Sequence, residues 1–133
     1  MSKRLAFGVL LLGSSLAQAY QAGELREDCQ IAESMLAQQT SLTPYDSLRG
    51  TRCISYLAGF ADGYAVADYL GSKVGLQIGA FCLPKEENLP PRMVRALLAQ
   101  FDRMPPQIRQ STAEIAAAAL ARSFPCNEKL ETK

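Results

Sequence analysis

The stretch RCISYLAGFADGYAVADYLG, Arg52 to Gly71, decides how the rest of the chain is read. At helical period Cys53, Tyr56, Leu57, Phe60, Tyr64 and Ala67 fall on one broad apolar face. Ile54, Ala58, Ala61 and Ala65 make a second face of mostly small residues, and the Gly59-x-x-x-Gly63 spacing lets a neighbouring backbone come close. Only a thin strip through Ser55, Gly59, Asp62 and Tyr69 is left for water. A helix covered on so much of its circumference is expected at the centre of the fold, with neighbours on both sides. Its residues are packing residues, and the stretch carries no chemistry of its own.

Three more helices flank it. Leu25, Cys29, Ala32 and Leu36 step by four, three and four, with Ile31 and Met35 widening the stripe, which predicts a first helix over 24–39. The cluster Thr40 to Asp46 breaks it, because Pro44 biases Thr43 out of the α region. Asp46 or Ser47 is a cap candidate for a turn into the central helix. Beyond Gly71, Val74, Leu76 and Ile78 alternate with small or polar residues, but no partner strand is in prospect, so 72–80 is read as an ordered loop. Pro90-Pro91 opens a third helix with Met93, Val94, Leu97, Leu98 and Phe101 as its buried stripe, ended by Met104-Pro105-Pro106. Ser111-Thr112-Ala113-Glu114 has capping-box spacing and opens a fourth helix to about Phe124, where Pro125 stops it. The polar end Asn127–Lys133 is expected to fray. The expected fold is all-α, a compact bundle of four main helices.

Residues 1–19 read as a leader rather than as structure. Lys3 and Arg4 precede the apolar run Leu5–Leu12, and Ala17-Gln18-Ala19 supplies a small-residue cleavage site. The apolar run is too short to span a bilayer. Cleavage after Ala19 leaves residues 20–133 as one exported domain with no membrane attachment. Losing Lys3 and Arg4 takes the 14 basic residues to 12 against 13 acidic ones. A net charge near neutrality, without a clustered basic face, argues against a nucleic-acid partner.

Export sets the reading of the four cysteines, Cys29, Cys53, Cys82 and Cys126, as two disulfides. Zinc would require all four as ligands with no CxxC pair and no histidine anywhere in the chain, so no metal and no cofactor is expected. Three pairings are open. If the third and fourth helices form an antiparallel hairpin, Cys82 and Cys126 share its open end, which favours 82–126 and leaves 29–53.

Without histidine the commonest general base and the Ser-His and Cys-His nucleophiles are missing. Asp62 and Asp68, six residues apart on one helix, point about 120° from each other and make no acid–base pair. Gly71, Gly75 and Gly79 open no helix and so form no phosphate cradle. A binding protein is expected, not an enzyme.

Four pieces recur in order: an early Cys in an amphipathic helix; Cys53-x-x-Tyr56-x-x-Gly59-Phe60-x-x-Gly63; Phe81-Cys82-Leu83-Pro84; and Ala119-Leu120-x-x-Ser123-Phe124-Pro125-Cys126. Together they resemble the Rap1a/Tai family of type VI secretion immunity proteins, over nearly the whole mature chain. The resemblance implies a periplasmic, disulfide-bonded helical domain that often dimerises. It implies a secreted peptidoglycan amidase as partner, occluded at its active-site cleft with no catalysis by the inhibitor. On this reading the partner-facing residues are Lys73, Leu76, Gln77 and Ile78 in the 72–80 loop and Arg103, Gln107 and Arg109 in the 103–110 connection, since the core needs none of them. The strip Ser55, Asp62 and Tyr69 is the candidate dimer seam. The rival from another class is a periplasmic acid-stress chaperone, which two bridges and a modest charge content argue against.

Overall fold

The computed structural model describes residues 20–38 and 41–126; the expected leader and the polar end 127–133 lie outside the described residues. Four helices follow one another: α1 (Ala22–Leu36), α2 (Pro44–Lys73), α3 (Leu89–Asp102) and α4 (Thr112–Ser123). Among the described residues there is no strand; the connection expected over 72–80 begins only at Val74, because Ser72 and Lys73 form the last turn of α2. Both disulfides join the expected partners, Cys29 to Cys53 and Cys82 to Cys126.

The helix starts follow from local chemistry. The Ser111 hydroxyl accepts from the Glu114 N–H, and the Glu114 carboxylate accepts from the Ser111 N–H at 2.7 Å, the capping box read from the sequence. The same device opens α2 much earlier than the 52–71 reading placed it. Thr43 is extended and caps the Asp46 N–H at 3.1 Å, while Asp46 accepts from the Thr43 N–H at 3.2 Å. Pro44 therefore breaks nothing in α2: it sits at the first helical position, where its missing N–H costs no bond. At 30 residues, α2 is about 45 Å long. The first helix ends at Leu36 rather than at 39, with Gln38 at positive φ.

The core is shared by α1, α3, α4 and the first half of α2. Leu25, Leu57, Leu97, Ile115 and Leu120 are fully enclosed, with Met93, Val94, Phe101, Ala116 and Ala119 around them. The expectation that the central stretch is covered on most of its circumference is corrected here. In α2 only Gly50, Cys53 and Leu57 are buried, Ile54 and Ala61 are half-buried, and Ala58, Ala65 and Ala67 are exposed. Its neighbours lie on one side only, and its last turns extend past the bundle.

The close approach also belongs to another glycine. A Cβ on Gly50 would stand 2.6 Å from Met35 Sδ and 3.3 Å from the Ala32 backbone, whereas Gly59 and Gly63 face open space. Gly50→Val should therefore destabilise the protein by about 3 kcal/mol through overpacking. Gly59→Ala and Gly63→Ala should each stabilise it by about 0.5–1 kcal/mol, since a helix interior prefers Ala to Gly. Urea unfolding of the three variants checks the contrast, and a stabilising Gly50→Val would contradict this account of the α1–α2 contact.

Candidate functional site

The far end of α2 and the loop after it are the part of the molecule least explained by folding. The helix stops because Gly75 takes a positive φ that other residues rarely adopt. The Leu76 N–H then bonds the Gly71 carbonyl at 2.9 Å and the Gly75 N–H bonds the Ser72 carbonyl, closing a Schellman turn. From there the chain doubles back along the helix it has just left. Ile78 donates its N–H to Asp68 Oδ1 at 3.2 Å, and Ala80 donates its N–H to the Tyr64 hydroxyl at 2.8 Å. Phe81 next drops into the core against the Tyr64 ring, centroids 4.0 Å apart, with Phe60 behind it. Cys82 follows, its N–H on the Phe124 carbonyl and its sulfur on Cys126.

This anchoring fixes the backbone of 76–80 while leaving its side chains outside. Val74 is 74% exposed, Leu76 65% and Ile78 51%, and Lys73 and Gln77 are exposed beside them. Lys73 lies over the ring of Tyr69, itself 60% exposed. Val66, Tyr69 and Leu70 add large apolar side chains to the outer face of α2. Ser55, Asp62 and Tyr69 all lie exposed on that face, as the strip reading has them, but it is far wider than a strip. A cluster of exposed apolar side chains on a braced element marks an interaction surface more than a folding surface.

The second expected element is placed elsewhere. Arg103, Gln107 and Arg109 are exposed in the connection between α3 and α4. The hairpin puts that connection at the end opposite the Cys82–Cys126 bridge, whereas 72–80 leads directly into the bridge. Among the described residues no hydrogen bond or ion pair links the two.

The sequence reading passed over one buried cluster. Asp28 is wholly enclosed and accepts from Arg49 Nε at 2.7 Å, from Arg52 Nε at 2.5 Å and from the Tyr20 hydroxyl. Burial pushes the Asp28 carboxyl up, but the bonds from Arg52, Tyr20 and Arg49 outweigh it and hold the group below its ordinary value. Tyr20 is raised well above the usual phenol range by burial and by Asp28. Arg52 lies over the Tyr20 ring, which meets Tyr56 edge-on. The signal was present: Asp28 falls on the stripe of Leu25, Cys29 and Ala32, where a charge needs a partner from the facing helix. With the Asp28 acceptors filled and its carboxylate shut off from solvent, this cluster is structural.

Among the described residues no group of three or more His, Cys, Asp or Glu side chains is arranged to hold a metal, and no helix is long and apolar enough to cross a membrane. The family model of the Rap1a immunity proteins matches residues 21–126, a span containing both disulfides, Asp28 with Arg49 and Arg52, and the α2 tip. The chain belongs to the Rap1a immunity protein family. Comparison with curated proteins and with solved structures gave no match. In this Rap1a protein both disulfides lie within the matched span, and the end of α2 with its returning loop is left exposed.

Proposed function

We propose that this Rap1a protein is a periplasmic immunity protein of a type VI secretion system, which binds a secreted peptidoglycan amidase and occludes its active-site cleft. The observation that carries this reading is the braced 76–80 segment. Its backbone is tied to Asp68 and Tyr64, yet Leu76 and Ile78 project unburied. A preorganised apolar projection enters a cleft without the entropy loss of ordering a loop, which is how small inhibitors gain affinity. Lys73 and Gln77 flank it as polar contacts, and Arg103, Gln107 and Arg109 provide a second, polar contact region. The outer face of α2 through Ser55, Asp62 and Tyr69 is the seam of a homodimer, supported by the exposure of Val66, Tyr69 and Leu70. Export by residues 1–19 delivers the protein to the compartment where both the bridges and the substrate of such a toxin occur.

Leu76→Asp with Ile78→Asp should leave the unfolding midpoint unchanged, because neither side chain is buried. The pair should weaken binding to the secreted peptidoglycan amidase proposed as its partner by at least about 100-fold, as expected for two central apolar anchors. Titration of the purified hydrolase with each form reads this directly, and full neutralisation by the double variant would remove the loop from the interface. Asp62→Arg tests the seam separately: a dimer that survives it argues against this face.

A further inference from the structure

Each cysteine of the first bridge directly follows a member of the buried ion cluster, Asp28 before Cys29 and Arg52 before Cys53. In the antiparallel α1–α2 hairpin, the register that pairs Asp28 with Arg52 also brings Cys29 and Cys53 to a Cα separation of 5.1 Å. Asp28 is the only buried charged residue among the described residues. A buried ion pair adds little stability over apolar side chains of the same volume, and its best-attested use is to fix register. We infer that the Asp28–Arg49–Arg52 cluster is a positioning device that closes the α1–α2 hairpin in register before oxidation. It selects Cys29, rather than Cys82, as the partner of Cys53.

Chain statistics alone do not make that choice. Cys29 and Cys53 are separated by 24 residues, and Cys53 and Cys82 by 29. Loop-closure entropy favours the first pairing by only about 1.3-fold. A misplaced 53–82 bridge would strand Cys29 and Cys126 on α1 and after α4. Opposite charges attract over about 8–10 Å at moderate salt, further than side-chain packing reaches, so they can set the register while the thiols are still apart. Oxidation then proceeds by exchange with a small disulfide such as glutathione disulfide. The Cys53 thiolate attacks one sulfur of the oxidant, forming a mixed disulfide and expelling one glutathione thiolate. The Cys29 thiolate attacks Cys53 sulfur and expels the second. Two electrons pass from the cysteines to the oxidant, and the two thiol protons end on the two glutathione thiols.

The full exported chain, reduced and unfolded, is returned to native buffer with glutathione disulfide and quenched by alkylation at early times. One-bridge species are then mapped by peptide mass spectrometry. In the unsubstituted protein 29–53 should outnumber 53–82 by about tenfold or more, the scale of one charge-assisted hydrogen bond. Asp28→Asn, and Arg49→Gln with Arg52→Gln, should each lower the ratio at least about fivefold, toward the 1.3 of loop closure. The share of 82–126 should hold in both. This early readout needs no folded product, so variants that fold poorly still report. An unsubstituted ratio near 1.3, or variants that keep the original ratio and lose only stability, would overturn the inference.

Discussion

Replacing Arg49 and Arg52 together by glutamine should destabilise the protein by about 3–5 kcal/mol at neutral pH, the cost of leaving a buried charge without its partners. Asp28→Asn should cost less, about 2 kcal/mol, although it removes the residue at the centre of the cluster. The asymmetry follows from exposure. The Asp28 side chain is 0% exposed, whereas those of Arg49 and Arg52 are 22% and 50% exposed and fall back on water when the carboxylate is gone. Arg49 also keeps its pair with Glu27 at 2.8 Å. Against a total stability of about 5–15 kcal/mol, the double substitution removes a large fraction.

Acid should close the gap, and the sign can be worked out. In the native protein the Asp28 carboxyl is held below its ordinary value of 3.8. Its contribution is therefore complete above that value and is lost as pH falls through the lowered one. In the double variant only the Tyr20 bond still opposes burial, so the carboxyl moves up from its native position and protonation relieves the buried charge as pH falls. Urea unfolding at pH 7 and pH 4 should show the difference between the two proteins shrinking in acid. A constant difference would mean that Asp28 is not the charge responsible.

Phe81→Ala should be comparably severe, at about 3–5 kcal/mol, enough to lower the melting temperature by roughly 10 °C or more. Phe81 is the only large side chain that carries the returning loop into the core, stacked on Tyr64 and backed by Phe60. Tyr64 at the same time accepts the Ala80 N–H through its hydroxyl. Removing the ring opens a cavity beside the Cys82–Cys126 bridge and frees Tyr64 to move, so the 76–80 segment loses its brace. Toxin binding should fall with stability, which separates this variant from the Leu76 and Ile78 pair, where binding falls alone. Phe81→Leu, filling most of the volume, should recover more than half of the stability, and equal losses for Ala and Leu would argue against the cavity.

The difference between those two kinds of position was only partly legible in the sequence. Periodicity placed α3 well because its apolar stripe really does face the core, and Ser111 with Glu114 marked the start of α4, which depends on four residues alone. Hairpin topology gave the Cys82–Cys126 bridge, because cysteines at matching ends of antiparallel helices have one short route to each other, and Cys29–Cys53 was the pair that it left. The 52–71 stretch misled because periodicity records which residues avoid water without saying what covers them. Ala65 and Ala67 read as well for a core as for a surface kept for a partner. Gly50 carried no signal of its own, and only the path of α1 shows that Met35 and Ala32 require its missing side chain. Asp28 lay on an apolar stripe in plain view, but its partners are 21 and 24 residues away on another helix.

The exposed tip also separates the proposed inhibitor from an acid-stress chaperone. A chaperone of that kind opens near pH 2 and binds many unfolded clients, whereas an inhibitor with two bridges stays compact and binds one folded enzyme. The most direct measurement is calorimetric titration of the purified protein against the secreted peptidoglycan hydrolase proposed as its partner, with cell-wall cleavage followed in parallel. The account predicts a complex of about nanomolar affinity that abolishes cleavage and is lost when Leu76 and Ile78 become aspartate. No binding to that hydrolase, or tight binding that leaves cleavage untouched, would contradict it.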